Sequence, residues 1–435
     1  MDLKKPVVLI ISYYWPPSGG AGVQRWVKFV KYFRDFGWEP VVYVPENPEY
    51  PSLDTSLADD LPEGLVVLKQ PIWEPYRLYR QFTGKGNQPI QAGFISEDGE
   101  KGWKESLSIR IRGNLLIPDP RMFWIRPSIR FLTTYLKENS VRALVTTGPP
   151  HSMHRIGYGL KKRFPELRWI ADFRDPWTNI DFYHELGLTP LADSLHRRME
   201  KQVVRTADAV VVVSGGMLTE FSELKPKRLK LIPNGFDDED VKQVKVEMDR
   251  AFTISHIGTM NAARNPVVLW KAIRQLCDNN RFFNKDVQIQ LIGKVDFSVL
   301  ESLRKFGLDE KVVKIDYLPH AEAIEHQQTS QVLLLIINNS PNAKGILTGK
   351  FFEYIASGRP VLGVGPSDGD AAEILRATQA GVMIDYEDVN AAVDVLTCWY
   401  DMYHNKALKV NTSSLLRYTR RALTGELVEL LDELK

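Results

Sequence analysis

Short, unbroken apolar runs alternate along this chain with stretches whose apolar residues recur every three or four positions. The first run, residues 6–12, reads as a buried parallel strand. A glycine-rich loop follows, then Val23, Trp26, Val27, Val30 and Phe33 at helical spacing. Phe36, Gly37 and Trp38 close that helix before a second strand at 41–44. Strands are expected again at 143–147, 169–172 and 209–213, each separated from the next by a segment of helical periodicity. A second series begins at 252–257 and continues through 287–292, 312–315, 332–337, 360–364 and 382–384. Alternation of this kind predicts an α/β protein of doubly wound parallel sheets with helices on both faces.

Between the two series, residues 231–237 carry the Pro and Asn-Gly signals of a linker. The expected division is therefore 1–230, 231–410 and a C-terminal segment 411–435. The last helix, over about 412–434, is expected to pack at the domain junction or outside the second sheet. Two Rossmann-like domains facing a cleft is the simplest architecture, and 435 residues suit two domains of about 200 each. Residues 46–122 are less regular, rich in proline, aromatics and charge, as a segment that sets substrate specificity would be.

Composition narrows the function classes. A net charge of +2 gives no reason to expect a nucleic-acid partner. Cys277 and Cys398 lie far apart without metal-ligand spacing, as reduced packing residues of a cytoplasmic protein would. Residues 1–5 lead straight into a strand without a signal-peptide pattern, and no apolar run reaches 18 residues, so a cytoplasmic chain that does not span a membrane is expected.

Polar residues that a core would not choose concentrate between Lys344 and Leu375. A helix should begin near Thr348, carry Phe351, Phe352, Tyr354 and Ile355 as its apolar side, and stop at Gly358, with Pro360 barring continuation. Lys350 then sits in the first turn, where a cation opposes the helix dipole at a cost of about 0.3–1 kcal/mol unless an anion shares the N-terminus. One turn on, Glu353 can accept hydrogen bonds in pairs, which suits the neighbouring hydroxyls of a ribose. The same two residues also fit an ordinary i,i+3 surface pair, and the segment alone leaves both readings open. Beyond the strand at 360–364 lie turn-forming residues 366–370 and a helix carrying Glu373.

Other candidates also fall at strand ends. Gly19, Gly20 and Gly22 occupy the first strand-to-helix loop, where backbone amides can approach an anionic ligand; a simple tight turn fits as well. They do not form the dinucleotide fingerprint, and residues 41–44 lack its acidic partner, which argues against a dehydrogenase. His151 follows the strand at 143–147, where sites of open α/β sheets collect, although a lone histidine there also serves as a cap or packing group. His154, one turn later, reads as structural. Around Arg174, a salt-bridged corner accounts for Asp175, whereas Asp172 is the better candidate for an acceptor contact. In the second half, His256, Gly258 and Thr259 end the first strand, and Arg264 is expected to open the next helix.

The pattern from Lys350 through Glu353, Gly358 and Pro360 to Glu373 resembles the donor-binding segment of the retaining GT-B glycosyltransferases of family four, of the bacterial surface-polysaccharide type. Segments 16–25, 147–151, 171–177 and 256–264 resemble other parts of that family, so the likeness covers nearly the whole chain, and it implies that the last helix or its predecessor crosses back to the first domain. It implies that Glu353 binds the nucleotide ribose, that Gly19, Gly20 and Gly22 lie near the donor diphosphate and sugar, and that His151 contacts the donor sugar or stabilises the reacting centre. The family's earlier glutamate, eight residues before Glu353, is Gly345 here, and the amides of Gly345, Ile346 and Leu347 would substitute for it. Its usual arginine after Gly258 is Thr259, and its lysine five positions on is Arg264. Lys350 would complete a two-cation clamp on the diphosphate. Such a clamp needs no divalent ion, so neither a metal nor another cofactor is expected.

The implied activity is transfer of a sugar from a nucleotide diphosphate donor to a hydroxyl of a saccharide or lipid-linked saccharide, with retention, in polysaccharide or glycolipid biosynthesis. A nucleotide-sugar epimerase or hydrolase of the same fold, and a binding subunit of a polysaccharide-assembly complex, are the alternatives. Residues 103–126 mix basic and bulky apolar side chains, a composition that suits peripheral contact with an anionic membrane and equally an ordinary domain surface.

Overall fold

A computed structural model describes residues 5–50, 53–75, 103–180, 183–241, 247–410 and 413–434. The chain forms two compact units, Met1–Pro233 with Arg420–Lys435, and Asn234–Thr419. Unit one holds strands β1 (Val7–Ile11), β2 (Glu39–Pro45), β3 (Val66–Gln70), β4 (Val141–Gly148), β5 (Arg168–Phe173), β6 (Ala209–Val212) and β7 (Leu229–Leu231). They lie in the order β3-β2-β1-β4-β5-β6-β7, all parallel. The helices are α1 (Ala21–Phe33), α2 (Trp103–Leu115), α3 (Met122–Glu138), α4 (Ser152–Arg163), α5 (Pro190–Thr206) and α6 (Gly215–Glu223).

Both faces of this sheet are covered, which is why its strands read as continuous apolar runs. The two-residue alternation of strand side chains assigns Val8, Ile10 and Val42 to a core with Val23, Trp26, Val27 and Val30 of α1. Leu9, Ile11 and Val41 point the other way, against Trp124 of α3 and Met153, Ile156 and Leu160 of α4.

Unit two repeats the plan with β8 (Phe252–Ile257), β9 (Val287–Ile292), β10 (Val312–Ile315), β11 (Val332–Ile336), β12 (Val361–Val364) and β13 (Gly381–Ile384). Their order is β10-β9-β8-β11-β12-β13, again parallel. One face packs on α7 (Val267–Asn279); the other receives α8 (Gly349–Ala356) and α9 (Asp370–Thr378). Helix α10 (Val389–His404) adds Ala392, Leu396 and Tyr400 to the α7 side. Strand order reverses between β1 and β4 in one sheet and between β8 and β11 in the other, the places where open α/β sheets bind ligands.

Three features depart from the sequence expectations. The last helix, α11 (Arg420–Glu433), does not lie outside the second sheet but belongs to unit one, the return to the first domain that the family resemblance implies. Its Leu423, Leu427, Leu430 and Leu431 join the core of α1, Trp38 Nε1 donates to Asp432 Oδ1 at 3.1 Å, and Arg168 Nη1 donates to the Leu431 carbonyl at 3.1 Å. Strands β3 and β7 were not anticipated: both are sheet edges, where half-exposed residues break the apolar run. Arg264 sits in a 3₁₀ turn, Ala262–Arg264, ahead of α7 rather than opening it. Among the described residues no helix is long and apolar enough to cross a membrane.

Candidate functional site

In unit two the site is built around Gly258, where the chain leaves β8 with φ +128°. A Cβ placed there would fall 1.5 Å from Lys350 Nζ, so the lysine ammonium occupies space that only glycine leaves free. Lys350 is delivered by α8. That helix is pinned to the end of β8 through the Tyr354 hydroxyl, which accepts from the Ile257 amide at 2.8 Å. Among the described residues Lys350 makes no hydrogen bond or ion pair. Burial, and then the Arg264 charge, lower its pKa to about 8, against a weaker opposite pull from Glu353.

Arg264 is held across the reversal of strand order. Its Nε donates to Asn338 Oδ1 at 2.8 Å, just beyond β11, and its Nη1 donates to the Thr259 carbonyl at 3.3 Å. Two cations are thus fixed near one another at the N-terminus of α8, which has no acidic residue in its first turn and no side-chain cap. The Oγ1 of Thr348, at the capping position, is buried without a partner among the described residues. Glu353, one turn into α8, accepts from Gln327 Nε2 at 3.3 Å. His256 Nδ1 donates to the Leu334 carbonyl, 3.0 Å away, so Nδ1 carries the proton; burial and Lys350 lower its pKa to about 4.

One expected contact needs correction. The amides of Gly345 and Ile346 donate to Asn342 (3.0 Å) and Ala343 (3.2 Å), closing a 3₁₀ turn, so of the three proposed substitutes only Leu347 keeps an uncommitted amide. Glu373 is exposed in the first turn of α9, which packs on that turn. Carboxylates at i,i+2 spacing also occur in this unit, at Asp238 and Asp240 and at Asp368 and Asp370; Asp368 accepts from Lys344 at 2.5 Å.

In unit one, Gly19 and Gly20 lead into α1, which lacks a side-chain cap. At Gly22 a Cβ would fall 1.7 Å from Arg174 Nη1, so this glycine makes room for the guanidinium. Arg174 donates to the Pro149 carbonyl, and its Nε is buried without a partner among the described residues.

Asp172 does not face a substrate. Its Oδ1 accepts from Arg25 Nη2 at 2.8 Å, and its Oδ2 accepts from Trp26 Nε1 (2.8 Å), Thr147 Oγ1 (2.9 Å) and Arg25 Nε (3.4 Å). Burial opposes ionisation, but Arg25 and these hydrogen bonds outweigh it and hold the carboxyl below its usual range. Arg25 also donates to the carbonyls of Ile232 (3.0 Å) and Pro233 (2.8 Å). The pair is a buried brace between α1, β5 and the end of unit one, and the expectation of an acceptor contact at Asp172 fails because the carboxylate is 1% exposed and already accepts four hydrogen bonds.

His151 lies immediately before α4, whose N-terminus is closed by Asp119: its Oδ2 accepts from the Ser152 amide at 2.8 Å and its Oδ1 from the Ser152 hydroxyl at 2.9 Å. The imidazole stacks on Trp177, centroids 4.6 Å apart and planes 2° from parallel. Burial first, then His154, His196 and Arg174, push its pKa well below the ordinary histidine value, so the ring is neutral. His154 is fully buried beside Thr146 Oγ1 at 2.9 Å and stacks on Phe173.

These folds of chain can be compared with known structures. The chain aligns over 99% of its length with 99% of a sucrose-phosphate synthase of Thermosynechococcus elongatus, at TM-score 0.60 and 12% identity. It aligns over 98% with 99% of Anabaena HepE in complex with UDP-glucose, at 0.59 and 12%. A point mutant of S. aureus TarM, in complex with fondaparinux, α-GlcNAc-glycerol and UDP, aligns over 98% of this chain and 100% of its own, at 0.59 and 9%. The fold is GT-B. No protein-family model matches the chain, and no curated protein matches it in sequence. Likeness at this identity establishes the architecture alone. The GT-B units place Gly258, Thr259, Arg264, Lys350 and Glu353 on the strand ends and helix of unit two, and Gly19, Gly20, Gly22 and His151 on those of unit one.

Sequence reasoning overlooked several residues that hold these groups. Asn338 and Gln327 position Arg264 and Glu353, and Trp177 covers His151. Asn338 had a readable signal, a polar residue directly after an all-apolar strand. Gln327 and Trp177 had none, because their partners are remote in sequence.

Proposed function

We propose that this chain is a glycosyltransferase that moves a sugar from a nucleotide diphosphate donor to a hydroxyl acceptor, with retention at the anomeric carbon. The observation that carries the reading is Lys350: a mostly buried ammonium without an ion pair, beside Arg264, at an uncapped helix N-terminus. Keeping the desolvated Lys350 ammonium beside a second cation is costly in the free protein and favourable once a diphosphate arrives. Glu353 then accepts from the ribose hydroxyls, and Gln327 fixes its orientation. Structures of the same fold hold UDP-glucose or UDP, which supports this class of donor.

In the proposed reaction the bond between the anomeric carbon and the diphosphate oxygen breaks, and the acceptor oxygen bonds to the same face. Its proton passes to the leaving diphosphate. Asp172 is sealed by its four hydrogen bonds and is no nucleophile, which favours this front-face route. Lys350 and Arg264 stabilise the negative charge that develops on the leaving group, and neutral His151 hydrogen-bonds the donor sugar. With that charge met by the two side chains, turnover needs no metal or other cofactor. Loss of turnover on chelation, restored by magnesium or manganese, would overturn this part, and the Asp238 and Asp368 pairs would become the ligand candidates.

The acceptor is a saccharide or lipid-linked saccharide of polysaccharide or glycolipid biosynthesis, and the protein works in the cytoplasm. Peripheral contact with an anionic leaflet is supported by α3, which exposes Phe123 and Phe131 beside Arg126 and Arg130, with Trp73 edge-on to Phe123. Absence of flotation with anionic vesicles would remove that contact.

Calorimetric titration with UDP-, GDP- and ADP-sugars is the first test. One donor should bind, and Lys350→Ala and Glu353→Ala should each abolish most of the affinity. Nucleotide diphosphate release that depends on an acceptor, with a product of unchanged anomeric configuration, would complete the case. Release of free sugar or an isomer without acceptor would instead mark a hydrolase or epimerase, and binding without release a binding subunit.

A further inference from the structure

Trp177, which packs flat on His151, is itself held by groups that the proposed reaction does not use. Its indole Nε1–H donates to His196 Nδ1 at 3.1 Å, and His196 Nε2 lies 3.4 Å from the Gly113 carbonyl of α2. An indole nitrogen only donates and a carbonyl only accepts, so both partners require the same tautomer of His196, with the proton on Nε2. Burial keeps that ring neutral. Helix α5 supplies His196 and, one turn on, Glu200, whose carboxylate accepts from the Thr178 amide at 3.3 Å and the Thr178 hydroxyl at 2.6 Å. Residues 177 and 178 are therefore fixed by adjacent groups of one helix. Trp177, His196 and Glu200 are 3%, 4% and 3% exposed, which leaves the indole little freedom to turn.

His151 receives the consequence. Of its two ring nitrogens, Nδ1 is buried without a partner among the described residues. Orphaned buried donors are rarer than under-used acceptors, so the lone pair belongs on Nδ1 and the proton on Nε2. We infer that His196 is a positioning residue: by locking the Trp177 indole it holds the His151 ring in one plane and one tautomer, with Nε2–H as the donor to a bound sugar. Its functional side rests on the role proposed above for His151; its structural side does not.

The test therefore has two readouts on the full chain. The first is ¹⁵N-histidine NMR without substrate, with the His151 signals assigned by their loss in His151→Gln. Wild-type protein should show the Nε2–H pattern at His151. His196→Leu should shift His151 toward a mixture of tautomers, whereas His196→Asn, whose amide oxygen can still accept from the indole, should keep the wild-type pattern. An unchanged His151 pattern in His196→Leu would overturn the inference. Should that variant not fold, Trp177→Phe replaces it, since it keeps a ring over His151 but loses the N–H anchor.

The second readout is turnover with the donor found above. His196→Leu should lower kcat about 10- to 100-fold, the range expected for a misplaced catalytic contact, with little change in donor KM. On a His151→Ala background the same change should have almost no further effect. Multiplicative losses in the double variant would overturn the inference. A wild-type protein that turns over no nucleotide sugar would remove the transferase reading, and the NMR result would then decide the positioning claim alone.

Discussion

The strand-end groups of the two units follow opposite rules. In unit one Asp172 is neutralised by Arg25 and receives four hydrogen bonds, the N-terminus of α4 is closed by Asp119, and the histidines are neutral. In unit two Lys350 stands beside Arg264 without an ion pair, and the N-terminus of α8 has neither cap nor acid. Paired charge in a core is architecture; in the reading proposed above, charge held apart from any partner is a place kept for a ligand. The contrast separates residues that looked alike in the sequence, since Asp172 and Lys350 are both ionisable groups near strand ends.

The largest effect should come from breaking the brace. Asp172→Ala strands the Arg25 guanidinium in a dry interior, and removing one partner of a buried pair costs about 3–5 kcal/mol. Chemical denaturation should show that loss, or the variant should fail to accumulate in folded form. A change under about 1 kcal/mol would mean that Asp172 is not structural.

Lys350→Met should behave in the opposite way. It removes an unpaired, desolvated cation, so the free protein should melt at the wild-type temperature or higher. Donor affinity should fall about 100-fold, equivalent to about 2.7 kcal/mol. A variant that loses stability and affinity together would place Lys350 with Asp172 as architecture.

That contrast was only partly legible beforehand. The central strands β1, β2, β4, β8, β9, β11 and β12 announced themselves because burial on both faces forces an unbroken apolar run. The edge strands β3 and β7 did not, since half-exposed positions resemble loop. The helix α8 was placed to within a residue by Thr348, Gly358 and Pro360. Its lysine could be recognised as ill-suited to a helix start, but not as unpaired, because that depends on Gly258, some 90 residues earlier in the chain. Asp172 was misread for the same reason: Arg25 lies 147 residues away, and nothing local in 171–177 reveals it. Asn338 and Trp177 likewise act through partners that only the fold brings close.

The pH dependence of donor binding sharpens the comparison further. Burial and Arg264 lower the Lys350 pKa to about 8, so its ammonium is fully present below that pH and is lost as pH rises through it. Donor affinity measured by calorimetry should therefore be flat below pH 7 and fall by up to tenfold per pH unit above about 8, and this fall should vanish in Lys350→Met. Linkage gives the opposite sign for stability. The folded pKa lies below the unfolded one, so the cost of the buried charge is felt in full below pH 8 and is relieved as pH rises toward 10.5. An affinity profile identical in wild type and Lys350→Met would show that another group governs the titration.

The two helix N-termini give the smallest effects and the cleanest comparison. Asp119 accepts from the Ser152 amide, so Asp119→Ala should cost about 1 kcal/mol, the usual loss for a removed cap. Thr348 is the N-cap residue of α8, and among the described residues its Oγ1 is unbonded, so Thr348→Ala should cost the free protein no more than about 0.5 kcal/mol. In the presence of donor the order should reverse: Thr348→Ala should weaken binding, because the hydroxyl has a partner only when an anion arrives, whereas Asp119→Ala should leave affinity unchanged. Equal costs for the two substitutions in free protein would mean that α8 is already capped and that its N-terminus is not the opening that the unpaired lysine implies.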